Sequence, residues 1–156
     1  MEYVELTTAE FERISARDNP VGIAAIVRWS ARPLSELQPT AAGLYLVADD
    51  IRDPGNLGTL VRTLDAAGGD AIIVHSGTDL GHPTALRASL GTTFHVPAYT
   101  ANSLDEVFAL TERANIQTVA TSAKADASIW DATFTRPAAI FAGNEGNGLA
   151  ASTLDR

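Results

Sequence analysis

Cysteine is absent from the 156 residues, and lysine occurs once, at Lys124. The first absence excludes a disulfide scaffold and any Cys-ligated zinc or iron–sulfur centre. The second bears on partners. Eleven basic residues against nineteen acidic ones give a formal net charge of −8, and no basic run occurs. Phosphate neutralisation dominates nucleic-acid affinity, so broad electrostatic binding of DNA or RNA is not expected, while a local arginine site stays open. No apolar run approaches the roughly 20 residues needed to cross a bilayer, and no signal-peptide pattern opens the sequence. With 46% apolar and 19% charged residues, a mainly disordered chain is excluded. The expectation is one soluble, cytoplasmic α/β domain that needs neither membrane nor metal.

Apolar, β-rich runs alternate with helical patterns through most of the chain. Candidate strands are Ile23–Val27, Leu44–Ala48, Ala71–His75, Thr93–Val96, Thr118–Thr121 and Ala138–Ala142. Several are continuous apolar runs, as in strands of a parallel sheet covered on both faces. Helical spacing marks Thr8–Arg17, Leu57–Ala67, Thr84–Leu90 and Leu104–Ala114, and Thr7/Glu10 and Ser103/Glu106 have capping-box spacing. This alternation predicts a doubly wound, mostly parallel sheet. Ala31–Ala42, with Pro33 and Pro39, reads as a linker, and the helix and strand before it are too small for an independent domain.

Two segments could carry chemistry. The first runs from Asp50 to Thr63 and leads from the strand Leu44–Ala48 into a helix. Leu57, Leu60, Val61 and Leu64 form its buried stripe, and Arg62 lies off that stripe with Gly58 one turn below it. A glycine there would leave open space beneath the guanidinium beside free N–H groups at the helix start, a seat for a phosphate or another anion. The plainer alternative is a strand–turn–helix capped by Asp53 or Asn56, with Arg62 paired to Asp65.

The second segment is Gly143-Asn144-Glu145-Gly146-Asn147-Gly148, after the run Ala138–Ala142. Three glycines in six residues allow close backbone approach to a ligand at the carboxyl end of a strand, although a structural turn would use the same residues. It is neither a Walker loop nor a spaced Gly-x-Gly-x-x-Gly fingerprint. Other candidates carry less. His75, His82 and His95 have no ligand spacing and no nearby carboxylate pattern, so a metal site is not expected. No Gly-x-Ser-x-Gly elbow occurs. Trp29 and Trp130 read as core residues rather than cofactor stackers, and Arg87-Ala88-Ser89-Leu90-Gly91 reads as a short helix closed by glycine.

Together the two segments resemble motifs one and two of the SpoU/TrmH family, within the SPOUT class of RNA methyltransferases. Asn56, Gly58 and Arg62 match the Asn-x-Gly-x-x-x-Arg of motif one, with Asp53-Pro54-Gly55 before it and Ala66-Ala67-Gly68 after it. Gly143, Glu145 and Gly148 match the Gly-x-Glu-x-x-Gly loop of motif two, and Arg87–Gly91 with Val96-Pro97 resembles the segment between them. The resemblance covers about residues 43–150. It implies methyl transfer from S-adenosylmethionine to a ribose 2′-hydroxyl of rRNA or tRNA, by a homodimer whose active sites lie at the interface. Arg62 would be catalytic, with Asn56 positioning it and Glu145 supporting the site. Thr121, Ser122, Gly143, Asn144 and Gly148 would hold the cofactor, and Arg52, Arg87 and Ser89 would join Arg62 on the RNA.

The same resemblance implies a sheet of the SPOUT type, which ends in a deep trefoil knot. The third motif, an Ile-Pro step and a Ser-Leu-Asn-Val-like run that makes the knot and half the cofactor pocket, is not in these residues. The expected organisation is therefore the tail of an N-terminal RNA-binding domain plus linker over 1–42, and a methyltransferase domain lacking its knot-forming C-terminal segment over 43–156. Methyl transfer is not expected from these residues alone. A non-catalytic pseudo-enzyme or binding module, and a nucleotide-binding oxidoreductase using Gly143–Gly148 as a phosphate loop, are the alternatives.

Overall fold

The computed structural model describes residues 3–15 and 19–156. Six strands form one sheet: β1 (Arg32–Pro33), β2 (Leu44–Asp49), β3 (Ala71–His75), β4 (Ala98–Thr100), β5 (Gln117–Ala120) and β6 (Ala138–Ala142). Their order is β1-β4-β3-β2-β6-β5, and every ladder is parallel. Among the described residues five helices accompany them: α1 (Thr8–Ile14), α2 (Pro54–Ala66), α3 (Pro83–Ala88), α4 (Leu104–Arg113) and α5 (Ala151–Leu154). The apolar runs divide by parity between two layers. Tyr45, Val47, Ile73 and Phe141 face α4, whose Val107 and Phe108 complete that core. Leu46, Ala48, Ile72 and Val74 face Leu57, Val61 and Leu64 of α2. Burying both faces is what a parallel sheet with crossover helices requires.

Four sequence expectations change. Ile23–Val27 forms no strand; Ile23, Ile26 and Val27 are exposed, and the run has no neighbouring strand to pair with. Thr93–Val96 is not a strand either. Gly91, at φ 91°, turns the chain into a 3-10 turn at Thr92–Phe94, and pairing resumes only at β4. The stretch expected to be a linker supplies edge strand β1 and two core residues, Leu34 and Leu37. Trp130 is 91% exposed rather than core, whereas Trp29 packs against the α2-side cluster.

Helix ends follow their caps. Thr7 and Glu10 make the full capping box expected at α1. The helix ends at Ile14, and expected positions 16 and 17 lie outside the described residues. At α4, Ser103 accepts from the Glu106 N–H, but the Glu106 carboxylate accepts from Asn102 instead of closing the box.

Gly58 is the packing point between α2 and α3, not the floor of an open space under Arg62. A Cβ there would sit 2.8 Å from the Ala88 Cβ and 2.9 Å from the Ser89 nitrogen, and would overlap the Ala85 carbonyl oxygen. Ser89 is fully buried at this contact and donates its hydroxyl to the Leu86 carbonyl, so it cannot meet RNA as expected. Helix propensity favours alanine over glycine by about 1 kcal/mol, but overpacking against fixed backbone costs about 1–3 kcal/mol. Gly58→Ala is therefore expected to lower the thermal midpoint by several degrees, and an unchanged or higher midpoint would show that α3 moves aside freely.

Candidate active site

The order of the strands reverses direction between β2 and β6, the point where open α/β sheets bind ligands beyond the strand ends. The paired ends Ala48 and Ala142 lead into the loop before α2 and the loop 143–148. Both expected segments thus meet at one place. Glu145 joins them: its carboxylate accepts from the Arg52 N–H at 3.2 Å, the Asp53 N–H at 3.1 Å and the Asn56 Nδ2 at 3.3 Å. These donors precede or open α2, where N–H groups lack partners and the helix dipole favours an anion. Asp53, the N-cap, accepts from the Asn56 N–H at 2.7 Å. Desolvation pushes the Glu145 carboxyl up, yet hydrogen bonds from its own N–H, those of Arg52 and Asp53, and Asn56 outweigh it and hold the group below the ordinary carboxylate value.

Loop 143–148 is closed by its own groups. Asn144 donates Nδ2 to the Asp50 carbonyl at 3.0 Å and accepts at Oδ1 from the Gly146 and Asn147 N–H groups. Its side chain is committed to the protein, so it shapes the loop rather than offering a free group to a cofactor. The Gly148 N–H returns to the Asn144 carbonyl, and Gly148 takes φ 69°. Gly143 lies so close to the Gly148–Leu149 backbone that no side chain fits. Next door, Thr121 ties the end of β5 to β6 through its hydroxyl on the Phe141 carbonyl at 2.8 Å. Ser122 follows it, exposed, so both residues border the same crevice.

The arginines do not converge there. Arg62 is exposed and makes no hydrogen bond or ion pair among the described residues. It lies six residues beyond Asn56, about 9 Å along the helix axis, and Asn56 bonds Glu145 rather than positioning Arg62. Asp65, the suggested partner of Arg62, instead meets His95 at 2.8 Å. Arg52 is paired to Asp50 at 3.0 Å, and Arg87 reaches Thr84 in its own helix. A carboxylate partner was not expected for any histidine, yet His75 also meets Asp49, at 2.8 Å. These pairs join residues 26 and 30 apart in sequence, beyond local spacing; the signal available was that Asp49 and His75 each end a strand. No group of three or more potential metal ligands occurs among the described residues.

A doubly wound parallel sheet with two interlocked loops at its reversal point defines an α/β protein with a crevice where such sheets bind ligands. The chain belongs to the SpoU rRNA methylase family, whose profile matches residues 43–156. It is 31% identical over 152 residues to the 23S rRNA (guanosine(2553)-2′-O)-methyltransferase RlmP of Bacillus subtilis, covering 97% of this chain and 59% of that protein. An AdoMet-bound rRNA methyltransferase from Sinorhizobium meliloti superposes with a TM-score of 0.85 at 33% identity, over 96% of this chain and 58% of the other. A crystal structure of an RNA 2′-O ribose methyltransferase gives 0.83 at 39% identity, over 97% and 58%. The chain thus spans a little under three-fifths of the length of each of these three relatives.

The depressed Glu145 pKa carries a sign. Its contribution to loop docking is present above the ordinary carboxylate range and is lost as pH falls through the lowered folded value. A carbon-detected NMR titration is expected to place its midpoint below that of an exposed, unpaired glutamate. In Glu145→Ala, hydrogen exchange at the Arg52 and Asp53 amides is expected to speed several-fold, and unchanged exchange would mean the carboxylate does not hold this loop.

Proposed function

We propose that this chain is the S-adenosylmethionine- and RNA-facing part of a methyltransferase acting on a ribose 2′-hydroxyl of rRNA or tRNA. The observation that carries the reading is the Glu145 clamp, which joins motif-one Asn56 to motif-two Glu145 at the reversal point of the sheet. Family membership and the RNA 2′-O-methyltransferase relatives support it. The residues present suit the cofactor. Gly143 packs directly on the Gly148–Leu149 backbone and so keeps loop 143–148 tightly folded, and the adjoining Thr121–Ser122 edge is exposed.

Bound there, S-adenosylmethionine would supply an electrophilic methyl group carried on a sulfonium. The chain's own residues bind and orient. Loop 143–148 and Thr121–Ser122 form the cofactor side, and Glu145 keeps Asn56 and the start of α2 in register with it. Arg62 cannot be the proton acceptor, because guanidinium stays protonated at any working pH. Exposed and unpaired, it is free to grip the phosphate beside the target ribose or to stabilise the developing alkoxide. Homodimer assembly belongs to the same proposal, since Arg62 stands apart from the loops of its own chain. The phosphate-loop alternative is disfavoured because the Gly146, Asn147 and Gly148 N–H groups are already bonded to Asn144.

Calorimetry with S-adenosylhomocysteine tests the cofactor assignment, and absence of binding by the full natural protein would overturn it. In that protein Arg62→Lys keeps the charge but loses the fork, so methyl transfer to rRNA or tRNA transcripts is expected to fall at least about 100-fold, the loss typical of removing one transition-state donor. Near wild-type turnover in that variant would remove Arg62 from the chemistry.

A further inference from the structure

A second concavity, of about 370 Å³, opens beside the carboxyl ends of β3 and β4. That volume lies within the roughly 300–1,000 Å³ usual for small-molecule sites. Its apolar lining is Val74, Leu80 and Ala101, all buried, and Trp29 from the segment before β1 lies at its side. Trp29 is held in place edge-on to Phe94, with ring centroids 6.4 Å apart. Ser30 and Ser76 also line the cavity, and neither side chain has a hydrogen bond among the described residues. Asp79 spends Oδ1 on the Gly81 N–H and leaves Oδ2 open.

The lining contains an acid and no cation, so a phosphate is repelled. An aromatic side, an apolar floor and a few unpaired polar groups suit a flat, uncharged ring with hydrogen-bonding edges. Unpaired RNA bases are recognised this way, by stacking on aromatics and bonding along their edges. The wall of the cavity is also wired to the clamp. Thr78 donates its N–H to the Ile51 carbonyl at 2.8 Å and its hydroxyl to the Arg52 carbonyl at 2.6 Å, while the Arg52 N–H bonds Glu145. One residue, Arg52, therefore joins the cavity to the clamp. Asp50 at φ 54° and Ser76 at φ 56° are non-glycine residues in the left-handed region, and each follows the end of its strand. Such outliers gather at functional sites.

We infer that this cavity receives an unpaired base of the RNA, one presenting N–H donors to the open Oδ2 of Asp79, with guanine the best fit because its adjacent N1–H and N2–H can share that one oxygen. The inference rests on the proposed RNA-directed function and adds a subsite to it.

Trp130→Phe, at an exposed position, leaves Trp29 as the single indole of the two in the sequence. Titrating this protein with the four uncharged ribonucleosides is expected to change Trp29 emission saturably, most tightly with guanosine and least with uridine. Ribose 5-phosphate is expected to have no effect. Asp79→Asn keeps an acceptor for the Gly81 N–H but replaces the open oxygen by a donor, and should weaken guanosine at least tenfold while sparing uridine. Ser30→Phe, at an exposed position, should abolish the response by filling the mouth, with circular dichroism unchanged. No saturable response up to about 10 mM, ten times the Kd of a millimolar ligand, overturns the inference. So does a response that survives both substitutions. Calorimetry with S-adenosylhomocysteine on the full natural protein separates the two readings: cofactor binding there without a base response removes only the subsite, and a base response without cofactor binding there removes the methyltransferase assignment.

Discussion

Glu145 is an anion set among donors that nothing else satisfies. The residues that lead into α2 present N–H groups toward the sheet edge, and the helix dipole adds partial positive charge at the same place. The carboxylate arrives from a strand that lies next to β2 in space but some ninety residues away in sequence. It fixes both loops at once. Loop 143–148 cannot swing out without stripping the Arg52 and Asp53 amides, and the start of α2 cannot reorient without stranding the carboxylate. Asn144 repeats the arrangement through Asp50, so the two loops share four partners on one side. The crevice keeps its shape because these bonds are made, not because the region is deeply buried.

Much of this was legible in the sequence, for identifiable reasons. β2, β3 and β6 are continuous apolar runs whose parity splits cleanly between the two faces, and α2 carries its apolar stripe at helical spacing. Asn56, Glu145 and the loop glycines stand out through motif spacing. What the sequence hid is non-local. Arg62 and Asp65 have a good pairing distance on a helix, yet His95 from another element takes the aspartate. Gly58 resembles a site residue by its place in the motif, while its physical work is letting α3 approach α2. Ser89, beside Arg87, looks available for binding until α2 is seen packed against it at Gly58. Ala31–Ala42 has the prolines of a linker, but Leu34 and Leu37 sit in the core.

Electrostatics sets the terms on which such a protein could meet RNA. With a formal charge of −8, the molecule has no long-range attraction for a polyanion, and its cations are partly spent. Arg52 is held by Asp50, Arg32 lies over Tyr99, and Arg156 pairs with Asp105 over Phe108. Recognition by these residues would be short-ranged, built on single arginines, aromatic surface and shape. Its dependence on salt would be shallower than that of a basic binder, because few counterions are displaced.

The strand order has a kinetic side. β2 pairs with β3 across one helical crossover, but its pairing with β6 closes a loop more than three times as long, and the Asn144–Asp50 bond spans 94 residues. Contacts of such separation are slow to form, because chain entropy is lost before the contacts repay it. During synthesis β2, β3 and β4 emerge and can associate while β6 is still being made. The crevice therefore does not exist on a partly synthesised chain, and the two loops meet only when the most distant strand has docked.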